Sequence, residues 1–437
     1  MIRHTLERMR LDRVKRLAKE NLWILIGLLC TAGGSLVQVR VLTEFLSPNQ
    51  YGQLSLANTL ANLVNQIVMC GLISGIGRFY SIAAEKNDLA KYLRASFRLL
   101  TYASFIIFLM GITIILGLIF DNKNQFIELV VATLIFSILT SINSSLSDLQ
   151  NAARKRKIVT FNNSLDAILK IIFAWMLLKL TGVSSLSVML GFLLAAAATL
   201  VSQLLCLKYT IKTNDTAAQT HTNAWQQQIW SYAWPFSTWG LFTWAQQASD
   251  KWALELFSTT DDVGIYAVLF QLGYVPIGMI AGIFTSFLIP IFFQRAGDGT
   301  NHTRNSNVRR VNWVITLLGL GLTIFSFLLT LLIHEWIFSI FVTEPYRSSS
   351  YLLPWFVLSG GMFATGQISA LKLMSELRSR HLIPAKILTA IGGAMLNIFG
   401  AWYAGLAGVT TALVLFTATY LIWTMLLAHR TYSPQLK

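Results

Sequence analysis

Residues 40–52 read RVLTEFLSPNQYG, and residues 251–264 read KWALELFSTTDDVG. Arg40 aligns with Lys251, Glu44 with Glu255 and Ser47 with Ser258 at one constant offset, and a single inserted residue then brings Gly52 onto Gly264. Each copy closes a long apolar run with a base, an acid four residues on, a serine, a turn and a glycine. Reading outward from these copies gives about twelve runs long enough to cross a hydrocarbon core of roughly 30 Å. They lie near 22–46, 51–80, 93–120, 126–149, 159–180, 185–209, 228–256, 262–293, 309–333, 349–374, 382–403 and 406–429. Backbone polar groups in lipid must be satisfied within the segment, so these runs are helices. Six spans separate the two copies, so the halves point the same way through the membrane, as in a parallel repeat. The expected fold is an all-α integral membrane protein with twelve transmembrane helices in two six-helix lobes.

Composition agrees with that reading. The 437 residues are 54% hydrophobic and only 12% charged, too little charge to cover a water-soluble surface. The expected organisation is a basic amphipathic segment at 1–20, an N-lobe at 21–210, a linker rich in Thr, Asn and Gln at 211–227, a C-lobe at 228–429 and a tail at 430–437. Residues 1–20 hold seven Lys/Arg, with Ile2, Leu6, Met9, Val14 and Leu17 at near-helical spacing. That pattern predicts an interfacial helix leading into the first span, without a cleaved signal.

The formal net charge of +15 could suggest nucleic acid, but its distribution points elsewhere. Of the 34 Lys/Arg, 28 fall in alternate loops and tails on one side, whereas the opposite side holds only Lys123, Lys179 and Arg347. Positive charge resists translocation, so the rich side and both termini are expected in the cytoplasm, with no nucleic-acid partner. Cys30, Cys70 and Cys206 sit inside apolar runs without ligand spacing. No metal site, cofactor or phosphate-binding GxxxxGK[ST] loop is expected. The outer loops are short, the longest near 334–350, which argues against an enzyme of the membrane glycosyltransferase or polymerase kind.

Charges inside spans are costly and therefore informative. Arg40 and Glu44, like Lys251 and Glu255, could form intrahelical pairs near the outer interface. Alternatively the two cations face a shared central cavity, one from each half, and attract an anionic headgroup. The fork of Arg40 suits bidentate phosphate contact, and Lys251 acts as a compact charge. Asp250 lies on a different face, where it could fix helix packing. Ser55, Asn58, Asn62, Asn65 and Gln66 form a polar stripe on the second span, partly echoed by Gln271 and Tyr274 on the eighth. This stripe fits either sugar hydroxyls or interhelical hydrogen bonds. Asp166 and Lys170 form an i,i+4 pair that could be structural or could mark a cation or proton site. Arg78 ends the second span as an inner anchor or phosphate clamp. Trp244 lies two turns before Lys251, placed for sugar stacking or helix packing.

The run RVLTEFLSPNQYGQLSLANTL, then GLISGIGRFYSIAAE, and the segment SDKWALELFSTTDDVGIYAVLFQLGYVP resemble the Wzx-type polysaccharide and O-antigen flippases. These belong to the multidrug/oligosaccharidyl-lipid/polysaccharide (MOP) exporter superfamily, whose other members include the MATE drug exporters. The resemblance implies two lobes around a V-shaped cavity in a bacterial cytoplasmic membrane. It also implies transfer of a polyprenyl-pyrophosphate-linked glycan from the inner to the outer leaflet, driven by an ion (H+ or Na+) gradient or membrane potential. Arg40, Arg78, Asp250 and Lys251 occupy family motif positions. Partners implied are the lipid-linked glycan, the bilayer, and a polysaccharide polymerase or glycosyltransferases. A cation-coupled MATE-like exporter is the alternative, although the cavity acids here have Arg or Lys beside them. Peptidoglycan-precursor flippases typically use more spans.

Overall fold

The computed structural model describes residues 2–210, 222–296, 302–376 and 382–429. The helices are α1 (Ile2–Phe45), α2 (Pro48–Glu85), α3 (Leu89–Phe120), α4 (Ile127–Ala152), α5 (Arg156–Thr181), α6 (Ser185–Thr210), α7 (Thr222–Phe257), α8 (260–296), α9 (His302–Phe341), α10 (Leu353–Ser375), and α11 and α12 within Leu382–His429. Eight helices among the described residues are long and apolar enough to cross a membrane by length and composition. One of the eight, Pro384–His429, is broken at Ala404 and Gly405 and so supplies two spans. The remaining three are α5, α7 and α10, which are long but milder in composition. The twelve-span, all-helical architecture of a multi-pass membrane protein follows. Large apolar side chains such as Phe105, Phe108, Phe120, Leu332 and Tyr403 are exposed, as lipid-facing surface requires.

Some boundaries differ from the sequence reading. The basic segment continues into the first span as one helix, Ile2–Phe45, with no break between them. Residues 211–221 of the linker and the tail at 430–437 lie outside the described residues, and 222–227 already belong to α7. Contacts divide the chain into two compact units: Met1–Gln38 with Ala57–Trp244, and Val39–Leu56 with Ala245–Lys437. The second unit therefore includes the end of α1 and the start of α2, and α7 contributes to both.

In the first unit α4 is the central helix, packing on α2, α3 and α6. Its buried Ser137 and Ser141 keep its girth small, and the Ser137 hydroxyl donates to the Ala61 carbonyl of α2. A core of Val64, Met69, Ile76, Tyr92, Ile107 and Ile229 fills the space beside it. In the second unit α10 takes the same role. Gly360 and Gly361 bring its backbone close to Tyr274 of α8 and Thr323 of α9, the small-residue packing usual between membrane helices. Gly405, at φ +53°, provides the left-handed turn that joins α11 to α12 without a loop.

The repeat is visible in the second unit. Ser47 and Gln50 form a reciprocal capping box at the start of α2: Gln50 N–H donates to Ser47 Oγ (3.4 Å) and Ser47 N–H to Gln50 Oε1 (3.2 Å). Thr259 caps α8 in the matching place, accepting from Asp262 N–H at 3.2 Å. These two helix starts pack on each other. A Cβ at Gly52 would stand 2.0 Å from the Thr260 carbonyl oxygen, and one at Gly264 would stand 1.9 Å from that of Pro48. The contacts exchange under the repeat, as across a two-fold interface. Asn49 Nδ2 donates to Asp261 Oδ2 at 3.2 Å beside them. The last carbonyls of α1 are satisfied from the connection between α9 and α10, where Thr343 Oγ1 donates to Thr43 O (2.5 Å) and Tyr346 OH to Leu46 O (2.9 Å).

Gly264→Ala should therefore destabilise the protein by about 1–3 kcal/mol through overpacking. Gly278→Ala, where nothing lies within 4 Å of the new Cβ, should be neutral or mildly stabilising through helix propensity. Thermal unfolding of the purified protein in detergent distinguishes the two.

Candidate functional site

Arg40, Glu44, Asp250, Lys251, Glu255, Gln271 and Tyr274 all belong to the second compact unit. The sequence halves suggested one cation from each lobe, whereas this unit contains both Arg40 and Lys251. Asp250 is buried, at 4% exposure. Its Oδ2 accepts from Tyr266 OH at 2.7 Å, and its Oδ1 accepts from the Lys251 backbone N–H at 2.7 Å. The carboxylate thus ties α7 to α8.

Lys251 Nζ lies 3.8 Å from Asp250 Oδ1, close enough for attraction but too long for a hydrogen bond. It stands 5.1 Å from the centroid of the Phe270 ring and 5.8 Å from that of Tyr266. Each such cation–π contact is worth about 0.5–2 kcal/mol, depending on desolvation. Tyr266, Phe270 and Tyr274 form a ladder at i,i+4 spacing, with ring centroids 6.0 and 4.5 Å apart. The second step of the ladder spans the π-helical turn Phe270–Tyr274, which also carries Gln271. A π turn widens a helix locally and is frequent at functional sites. Among the described residues, the Lys251 ammonium makes no hydrogen bond.

The i,i+4 pairs Arg40–Glu44 and Lys251–Glu255 do not form. Arg40 Nη1 and Glu255 Oε2 are buried without hydrogen-bond partners, Glu44 is exposed, and Lys251 turns to Asp250 instead. A buried polar atom without a partner costs about 1–3 kcal/mol, and more when it is charged. Arg40 Nη1 is therefore positioned to gain from an acceptor that the described residues do not supply.

The other sequence candidates lie in the first unit. Arg78 is exposed toward the end of α2, Asn62 is exposed, and Asn58 and Gln66 are half-buried. Asn65, at the start of the π turn Asn65–Met69, is bonded to Ser141 of α4, so part of the stripe serves helix packing. Gln66 presents its carbonyl to Gly240 of α7, where a Cβ would stand 2.0 Å away. Trp244 donates its Nε1–H to Thr59 O at 2.8 Å, a packing contact between α7 and α2. Asp166 and Lys170 pair at 2.7 Å. They line a polar cavity together with Asn143, Asp148, Thr199 and Gln203.

Sequence reasoning missed Tyr266 and Phe270, since aromatic residues in a span read equally well as lipid-facing. It also missed the polar face of α4, although Asn143, Ser147 and Asn151 recur every four residues.

Comparison with known proteins places this geometry. Residues 17–295 match the model of the family described as polysaccharide biosynthesis protein. The chain belongs to that family. No curated protein sequence matches it. Among solved structures, the lipid II flippase MurJ in an inward closed conformation is similar, with a TM-score of 0.69 and 13% identity. That likeness covers 93% of this chain and 87% of MurJ. A point mutant of the Vibrio cholerae MATE transporter VcmN has a TM-score of 0.61 at 14% identity, over 95% of both chains. An inward-facing MATE family transporter of the MOP superfamily has a TM-score of 0.57 at 16% identity, over 94% of this chain and 93% of that one. The fold of this family member is accordingly that of the MOP superfamily.

Tyr266→Phe removes one donor from the buried Asp250 carboxylate. It should lower stability by about 1–3 kcal/mol, read as a lower melting temperature in detergent, while Tyr274→Phe, without that bond, should cost less.

Proposed function

We propose that the protein is a flippase that carries a polyprenyl-pyrophosphate-linked oligosaccharide across the membrane for surface-polysaccharide synthesis. The observation that carries this reading is the state of two cations inside an apolar protein. Arg40 has a buried nitrogen with no partner, and Lys251 has an ammonium with no hydrogen bond. A pyrophosphate offers charged oxygens to both, and an Arg fork can take two of them at once. The polyprenyl tail stays in lipid while the headgroup is handled by protein. The aromatic ladder beneath Lys251 offers flat apolar faces against which sugar rings can pack. Membership of the polysaccharide biosynthesis family supports this class of cargo. A transporter rather than an enzyme fits the short outer loops.

The membrane in this reading is the bacterial cytoplasmic membrane, with both termini inside, as the bias of 28 among 34 Lys/Arg to one side implies. The polymer is O-antigen, capsule or another exopolysaccharide, the drive is an ion gradient or the membrane potential, and a polymerase or glycosyltransferase is the natural neighbour. The alternative, a cation-coupled drug exporter, draws on the likeness to MATE transporters and on the unpartnered Glu255 Oε2. Such a site needs an uncompensated acid facing its cargo, whereas Asp250 has Lys251 beside it and the end of α1 adds Arg40.

Arg40→Ala and Lys251→Ala should each reduce surface polysaccharide at least tenfold in a cell that depends on this protein, with normal amounts of protein in the membrane. Arg40→Lys should retain part of the activity. Normal export by both alanine variants would overturn the cationic site.

A further inference from the structure

The helix α3 of the first unit has two faces of opposite character. Tyr92, Ala95, Leu99, Ala103 and Ile107 are buried, and their face packs on α2 and α4. The opposite face exposes a stripe of large apolar side chains that runs the length of the helix to Phe120. Residues four and seven apart share one face of a helix. Arg94 and Arg98 therefore stand in line with Phe105, Leu109, Ile112 and Leu116, and both arginines are exposed. An exposed apolar stripe on a spanning helix is surface that meets lipid. The two guanidiniums thus face the bilayer, not the protein core.

Their depth follows from the run below them. The uncharged stretch Leu99–Phe120 is, at about 1.5 Å per residue, about 33 Å long. That is close to one hydrocarbon thickness. Arg98 accordingly lies at the edge of the hydrocarbon, and Arg94 lies one turn further out, among the headgroups. Long basic side chains at such positions extend along apolar surface and keep their charge at the polar boundary. The charge is not cancelled from within the helix, because α3 carries no Asp or Glu. Asp88, just before α3, is already paired with Lys91 at 3.3 Å. Lys86 is turned to the Trp225 ring, at 5.7 Å from its centroid.

We propose that Arg94 and Arg98 hold the phosphate of one anionic phospholipid, whose acyl chains lie along Tyr102, Phe105 and Phe108. A guanidinium takes phosphate oxygens in pairs, and two forks one turn apart can converge on a single phosphate. The exposed rings beneath them offer flat apolar walls to the first part of each chain. Charge above and hydrocarbon below, at this depth and on one stripe, is the complement of a phospholipid. In the orientation proposed above the lipid belongs to the cytoplasmic leaflet. The site itself rests neither on that orientation nor on the identity of the transported cargo.

Native mass spectrometry of the full-length protein tests the site, with dioleoyl-phosphatidylglycerol and dioleoyl-phosphatidylcholine titrated separately in detergent. The wild type should bind its first phosphatidylglycerol at least tenfold more tightly than its first phosphatidylcholine. Arg94→Gln combined with Arg98→Gln should remove most of that preference, since each cation beside an anionic lipid is worth roughly fivefold in binding. Neither side chain is buried, so the melting temperature should stay the same. Arg154→Gln with Lys155→Gln removes equal charge from the exposed turn between α4 and α5, away from the α3 stripe. That pair should leave the first binding event unchanged. Should the α3 glutamine pair fold poorly, Arg94→Lys with Arg98→Lys keeps the charge, loses the forks and should weaken binding severalfold. Equal affinity of the wild type for the two lipids would overturn the site. So would equal losses in the two glutamine pairs, which would mark a general effect of charge, or undiminished binding by both α3 pairs. A first site that ignores phosphatidylglycerol but takes added undecaprenyl pyrophosphate would also overturn it, and would mark a contact for cargo instead.

Discussion

Hydrocarbon offers no partner to a polar group, and the charged residues within the spans are placed under that constraint. Asp250 shows how it is met. The carboxylate is fixed by the hydroxyl of Tyr266 and a backbone N–H, so its negative charge cannot leave the junction of α7 and α8. Lys251 is held loosely beside it by charge and by two aromatic faces. A tightly hydrogen-bonded Lys251 would be a structural strut. A lysine held only by a long ion pair and ring faces remains available to another anion. The same constraint makes the unpartnered Arg40 Nη1 informative, because its cost is recovered when an acceptor arrives.

The repeat supplies the frame on which these residues sit. Gly52 and Gly264 allow the starts of α2 and α8 to meet backbone to backbone, each against the carbonyl of the other's first turn. Such contact needs two helices interrupted at equivalent places, and the capped breaks after Phe45 and Phe257 provide them. The donors Thr343 and Tyr346, between α9 and α10, complete the end of α1. Burial pushes the Tyr346 phenol well above its ordinary pKa, so it stays protonated as a donor. The end of α1 that carries Arg40 is thereby held in the same compact unit as Lys251.

Much of this was legible in the sequence. The apolar runs gave the spans, and the SPNQ and STTDD turns marked where α2 and α8 begin. The basic and acidic residues of the repeat all fall in the second compact unit. Of the two readings open for Arg40–Glu44 and Lys251–Glu255, the intrahelical pairs do not form, because i,i+4 spacing says which residues can meet, while burial and the neighbouring helix decide whether they do. Lys251 had a nearer carboxylate in Asp250, whose orientation depends on Tyr266 from another helix. The π turns at Asn65–Met69 and Phe270–Tyr274 have no compositional mark. The allocation of Arg40 and Lys251 to one unit is a property of packing, which a linear division into halves cannot anticipate.

The central claim is that Arg40, with its unpartnered Nη1, and the loosely held Lys251 are meant for a pyrophosphate. It is tested most directly by mass spectrometry of lipid retained by protein purified gently from cells that make the polysaccharide. A polyprenyl-pyrophosphate glycan should be found on the wild type and be depleted from Lys251→Ala. Equal retention by that variant, or no such lipid on wild-type protein that remains folded, would contradict the account.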